Sequence, residues 1–222
     1  MDDAAFTRLA GYAGLAGALA LFTGDMLLYG HLGAAQDFRA GALATVLAAS
    51  PERLYSGGLL GPFGALLYLL GYWHVYRQVE GGSATLARLM YVAFCAFAIA
   101  AGVFHALTTQ HELLLRACVD SPPPCASLQA EAREYEAWAY LAAEIPGYLA
   151  SILLGYLVIA GRTRYPRWSV LANPGLLMLF DPFMTQLPAP LGAVVTGGYV
   201  NLATALFFGV SLLCTRARSA PR

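Results

Sequence analysis

The chain has 222 residues, 59% of them hydrophobic and only 12% charged, with a mean hydropathy of +0.59. A soluble domain carries about 25% charged residues, so this composition excludes an ordinary water-soluble globule and fits a chain built for lipid. Thirteen basic and thirteen acidic residues cancel, which leaves no electrostatic reason to expect nucleic acid as a partner, and the absence of any lysine excludes Schiff-base chemistry.

The chain opens on Asp2 and Asp3 rather than on the basic start of a secretory signal. The apolar run that follows is too long for a signal core, so it reads as a retained membrane helix. Windows of about 20 apolar residues predict six transmembrane helices, over 9–29, 54–76, 86–115, 137–160, 170–187 and 191–214. The expected fold is an all-α polytopic bundle forming one membrane domain, with the fifth helix broken by proline.

Between the first two spans, 38–49 is apolar and alanine-rich, as a short interfacial helix would be. Ser50, Pro51 and Glu52 then read as N-cap, first-turn proline and first-turn acid. After the third span, Cys118 and Cys125 flank Ser121-Pro122-Pro123-Pro124. On an oxidising face they are expected to form a disulfide, two free thiols being the alternative. Cys95 and Cys214 fall inside apolar helices and behave as small hydrophobes.

In the fifth segment Asn173-Pro174 is an ordinary helix start. Asp181-Pro182 breaks the helix deep in the membrane, where only protein or a water-lined cavity satisfies the freed backbone. Asp181 either caps the second half-helix or contacts a ligand.

Arginine placement sets the orientation. Arg8, Arg77, Arg88, Arg162, Arg164, Arg167, Arg216, Arg218 and Arg222 flank one side, and only Arg39, Arg53, Arg116 and Arg133 the other. The positive-inside rule then puts both termini in the cytoplasm. Tyr72, Trp73, Tyr76, Tyr165 and Trp168 form the expected inner aromatic belt, with His74 among them as an interfacial residue. Tyr135, Trp138 and Tyr140 form the outer belt.

Helices in lipid associate through small residues. Candidate stripes are Ala193, Gly197, Asn201, Ala205 and Gly209 on the sixth span, Gly147, Ser151 and Gly155 on the fourth, and Gly57, Gly61 and Ala65 on the second. Asn201 reads first as an interhelical hydrogen bond within its stripe.

Asp25, His105, Glu144 and Asp181 lie on four separate spans, roughly 14 to 18 residues beyond the cytoplasmic arginine of each, or about 21 to 27 Å. Ionisable groups at that depth are costly unless they meet a partner, water or an ion, so four on one level point to a shared site. Tyr29, Thr109, Glu112 and Asn201 are the accompanying substrate contacts, while His111 points about 100° away from Glu112.

Three chemistries compete for this site. General acid–base catalysis casts Glu144 and Asp25 as the proton-transfer pair, His105 as orienting base and Asp181 as polarising group. A proton or solute transporter also uses paired acids and a broken helix. A metal-dependent intramembrane hydrolase needs a divalent ion on His105, Glu112 and Glu144, without HxxxH or HExxH spacing to support it. The structural alternative is that these groups pair only to hold the bundle.

Gly24-Asp25-Met26-Leu27-Leu28-Tyr29, Tyr165-Pro166-Arg167-Trp168 through Asn173-Pro174, and Gly198-Tyr199-Val200-Asn201-Leu202 resemble an uncharacterised family of bacterial six-helix membrane proteins, which implies a location in the cytoplasmic membrane. The acidic layout also looks loosely like small membrane isomerases and terpene cyclases, an analogy of architecture alone. These features together point to a membrane-embedded acid–base enzyme acting on a lipid-like or isoprenoid substrate. No cofactor is expected beyond a possible divalent metal. The partner is membrane lipid or a hydrophobic small molecule.

Overall fold

In the computed structural model, which describes residues 3–119 and 124–219, the chain is helical, with no strand among those residues. Asp2, the predicted turn at Ser121, Pro122 and Pro123, the side chains of Arg216 and Arg218, and Arg222 lie outside the described residues. The helices are α1 (Asp3–Leu28), α2 (Phe38–Ala48), α3 (Pro51–Val79), α4 (Ala84–Ala117), α5 (Pro124–Ile159), α6 (Pro174–Met178), α7 (Asp181–Met184) and α8 (Gly192–Ser219). Of these described helices, α1, α3, α4, α5 and α8 are long and apolar enough to cross a membrane. Lipid offers the backbone no partner, so an apolar window closes its hydrogen bonds internally. As expected, Ser50 Oγ caps α3 by accepting from Arg53 N–H at 3.3 Å, and α2 forms between the first two long helices.

The segment predicted as a fifth span is different. Over 170–187 there is no continuous helix but a 3₁₀ turn at Arg167–Ala172 followed by α6 and α7. Pro174 and Pro182 remove backbone donors, so each permits a helix to start but none to continue through it. This segment still runs from one end of the bundle to the other. Arg164 N–H donates to the Gln78 carbonyl near the end of α3 (2.8 Å), and Ala35 N–H donates to Leu187 just past α1 (3.0 Å). Asn173 Oδ1 accepts from Gly175 and Leu176 N–H at 3.0 and 3.3 Å, while its Nδ2 donates to the Ser151 carbonyl on α5. Phe180, not Asp181, occupies the N-cap of α7, and no side chain caps that helix.

One end, the base, is locked by buried hydrogen bonds. His74 is 1% exposed and donates through Nδ1 to the Thr7 carbonyl at 2.8 Å. Its Nε2 therefore accepts from Ser211 Oγ (2.9 Å), which in turn meets the Tyr165 hydroxyl at 2.6 Å. The expected interfacial histidine is thus a clamp between α1, α3 and α8. Tyr72 also leaves the predicted belt: it stacks on Phe94 with ring centroids 4.2 Å apart, fully inside. Tyr72 lies one turn beyond buried Tyr68 and turns to Phe94 of α4, whereas His74 turns to Thr7 of α1 and Ser211 of α8; α3 is packed on both sides here, and that burial overrides their aromatic-belt chemistry.

At the other end, the rim, α2 lies across the bundle and touches α4 and α8. Cys118 and Cys125 sit there at disulfide distance, with Cα atoms 5.7 Å apart.

The long helices form a ring in the order α1, α3, α4, α5, α6, α8 and back to α1, with α6 as the bridge between α5 and α8. The tightest seam is α1 against α3. A Cβ placed on Gly14 would lie 2.6 Å from Gly71 Cα, and one on Gly17 would lie 2.8 Å from the Gly64 carbonyl. Along α8 the predicted stripe faces inward at Ala193, at Gly197 against Phe38 and Tyr29, and at Asn201, but Gly209 at its far end meets nothing within 4 Å, and there Ala203, Thr204, Phe207 and Phe208 form the buried face. Four-residue spacing on a 3.6-residue period rotates about 40° per step, so a long stripe drifts off its face.

The half of the ring nearer the base is solid, filled by Val75, Val79, Met90, Leu157 and Phe208. The half nearer the rim is hollow.

Candidate functional site

The hollow is a cavity of about 830 Å³. Its floor is aromatic, made by Tyr68, Tyr72, Phe94 and Phe97, and its roof is the inner face of α2. Asp25, His105, Glu112, Glu144, Asp181, Tyr29 and Asn201 all line it.

Asp25 is placed by the glycine face of α1, whose close approach to α3 drives the carboxylate inward. It is 4% exposed. Oδ1 accepts from the Tyr29 hydroxyl one turn away at 2.5 Å, with the Gly197 carbonyl 3.3 Å from the same hydroxyl. Oδ2 accepts from Asn201 Nδ2 at 2.7 Å, and Asn201 Oδ1 accepts from Tyr68 at 2.9 Å. The interhelical role read for Asn201 is what the geometry displays. His105 stands with Nδ1 3.6 Å from Asp25 Oδ1, in ion-pair range but beyond a good hydrogen bond. Gly24 and Gly61 make room for its ring, since a Cβ on Gly24 would meet Nε2 at 2.5 Å and one on Gly61 would meet Cδ2 at 2.5 Å.

A second polar group lies nearer the rim. Glu136 of α5 accepts from Thr108 Oγ1 and from His111 Nδ1 of α4, each at 2.6 Å. Beside it Glu112 is 5% exposed, and its Oε2 has no partner. His105 Nε2, His111 Nε2 and Thr196 Oγ1, whose residues also line the cavity, are likewise unpartnered. Buried polar atoms of native proteins are nearly always satisfied, so four orphans around one cavity mark a place for a ligand or ordered water.

Glu144 and Asp181 belong to the far wall. Glu144 is half-buried on α5, between Tyr140 and Tyr148 one turn either side; Asp181 is exposed on the broken segment, within electrostatic reach of Tyr140, Tyr148 and Tyr199. The structure therefore pairs Asp25 with His105, not with Glu144. Thr109 turns away: its hydroxyl donates to the His105 carbonyl (3.3 Å) and its side chain packs on Gly58 of α3. Among the described residues no three His, Cys, Asp or Glu side chains converge as a metal site, so His105, Glu112 and Glu144 do not form one.

Sequence reasoning missed Glu136 and set His111 aside. Glu136 stands one residue before the predicted fourth span, but α5 continues outward past it to Pro124. A signal was present: His111 and Glu136 lie roughly 23 and 26 residues from Arg88 and Arg162, which puts them at neighbouring heights.

No curated protein and no solved structure matches the chain. A family model described as a family of unknown function, DUF6796, matches residues 1–217, and the chain belongs to that family.

Proposed function

We propose that this protein is a membrane-embedded enzyme that moves protons on a lipid-like substrate held in the rim-side cavity. The observation that carries the reading is the cavity itself. Its volume falls within the roughly 300–1,000 Å³ of small-molecule sites, and it joins an apolar aromatic floor to a buried carboxylate–imidazole pair. Asp25 and His105 form the proton-transfer unit. Glu144 supplies a second carboxyl from the opposite wall, and Asp181 polarises substrate or holds water. The solid base supports an enzyme over a transporter, because Tyr68, Tyr72, Phe94 and Phe208 leave no passage beneath the cavity.

A general test needs no named substrate. Protein in nanodiscs of bacterial lipid extract, incubated in deuterated water, should place deuterium at a carbon position of one lipid class. Glu144→Gln should abolish that exchange with the fold intact, since the amide keeps the shape but cannot exchange the proton. No labelled lipid, together with solute uptake into proteoliposomes, would put a transporter in the enzyme's place.

The same proposal places the rim outside a bacterial cytoplasmic membrane and both termini inside. The arginine excess at the base and the cysteine pair at the rim support it. A cysteine at Ala34 should label from outside, and one at Gly81, where nothing lies within 4 Å, only after permeabilisation. The reverse pattern would invert the protein.

A further inference from the structure

Two of the orphaned atoms share a chemical character. Glu136 engages His111 through Nδ1, so in the neutral ring that nitrogen carries the proton and Nε2 presents a lone pair. Glu112 Oε2 is also an acceptor. Arg53, within electrostatic reach of Glu112, spends its guanidinium on the carbonyls of Leu27 and Met26 at 2.8 and 3.1 Å, and makes no ion pair with it. The other acids nearby are occupied, Asp25 by Tyr29 and Asn201, Glu136 by Thr108 and His111. Glu112 is thus a carboxyl more than nine-tenths buried, aimed into a cavity and lacking a donor.

The charge balance points the same way. Five carboxyl groups line the cavity, against the guanidiniums of Arg39 and Arg133, both exposed at the rim. A buried carboxylate without a partner is strongly disfavoured, and a cation with N–H donors removes that cost. A hydroxyl supplies a donor but no charge, and an anion supplies neither. Toward the base, beneath the Asp25 network, the lining becomes aromatic at Tyr68, Tyr72, Phe94 and Phe97.

We infer that the rim half of the cavity binds the ammonium group of a long-chain primary amine, seated between Glu112 and His111, with the alkyl chain running down to the aromatic floor. This deepens the lipid-like reading above and rests on it. The head group belongs directly on the chain: a phosphate between chain and amine would lie against the acidic walls.

The test is equilibrium binding of tritiated dodecylamine to the full chain in nanodiscs, with empty nanodiscs subtracted. Dodecanol, dodecanoate and butylamine serve as competitors. Dodecylamine should bind at least about tenfold more tightly than dodecanol or dodecanoate, the size of one charge-assisted hydrogen bond, and butylamine should not compete. Glu112→Gln should reduce dodecylamine to the level of dodecanol, while Glu112→Asp keeps the preference. Equal binding of the three twelve-carbon compounds, or an unchanged preference in Glu112→Gln, would overturn the inference and leave the lipid-like reading standing. Competition by butylamine as strong as by dodecylamine would overturn the long-chain part in favour of a soluble amine. Absence of saturable binding by any twelve-carbon compound would remove both. The comparison of head groups on the unaltered protein decides the matter even if the glutamine variant does not fold.

Discussion

Replacing Gly71 by leucine is expected to force α1 off α3 and leave a protein that no longer purifies as a single species. A Cβ at Gly71 would meet Gly14 Cα at 2.5 Å and the Phe208 ring at 2.6 Å. One obstacle is backbone and the other a ring with 0% exposure, so neither can yield without moving a helix. Extra methylenes in a packed core cost about 1–3 kcal/mol, and leucine brings several into a seam that accepts none. Gly71→Ala should lower the melting temperature less. Gly209→Leu, on a helix position that faces open space, should leave it unchanged. Thermal unfolding of the three variants in one detergent reads the order directly. Equal melting of Gly71→Leu and Gly209→Leu would mean that the seam is not close.

Asp25→Ala is expected to cost about 3–5 kcal/mol, the range for removing one side of a buried charged pair. The loss strands the Tyr29 hydroxyl, the Asn201 amide and the His105 imidazole together. Asp25→Asn should cost less, because its carbonyl still accepts from one of the two donors. The three partners form one network, so Asn201→Ala should cost less in the Asp25→Ala background than alone. A coupling of about 0.5–3 kcal/mol is the expected scale. Strictly additive losses would show that Asn201 and Asp25 act independently, which their 2.7 Å contact makes inconsistent with this structure.

Much of the architecture was readable from composition and local chemistry, because lipid reduces the choices. Apolar windows become helices, Ser50 and Asn173 cap where their side chains reach the next turn, and the two rim cysteines are only seven residues apart. Counting along helices also brought Asp25, His105 and Asn201 to one level. What local rules could not supply was the shape of the hollow. A helix bordering a ring-shaped cavity exposes more than one face to it, so His111, turned from Glu112 on the wheel, still reaches Glu136 on the next wall. Thr109 shows the converse, sharing a face with His105 in sequence yet packing on Gly58. The glycines of α1 were invisible for another reason: Gly11, Gly14 and Gly17 are ordinary in membrane helices until a partner surface tells which neighbour they admit. The broken segment passed as a span because hydropathy averages over prolines that interrupt the backbone.

The clamp of His74, Ser211, Thr7 and Tyr165 gives the molecule a mechanical polarity. Three long helices are pinned at the base, and above it lies the solid half of the ring. Rods held at one end bend most at the other, so displacement accumulates toward α2 and the short helices, whose side chains Leu179, Phe180 and Phe183 face outward with little to hold them. Amide exchange should therefore be graded along α1, α3 and α8, slow around His74 and progressively faster toward the rim. In such a cantilever, passage of a bulky guest through the wall requires only the free ends to part, and the seam between α1 and α3 never has to open.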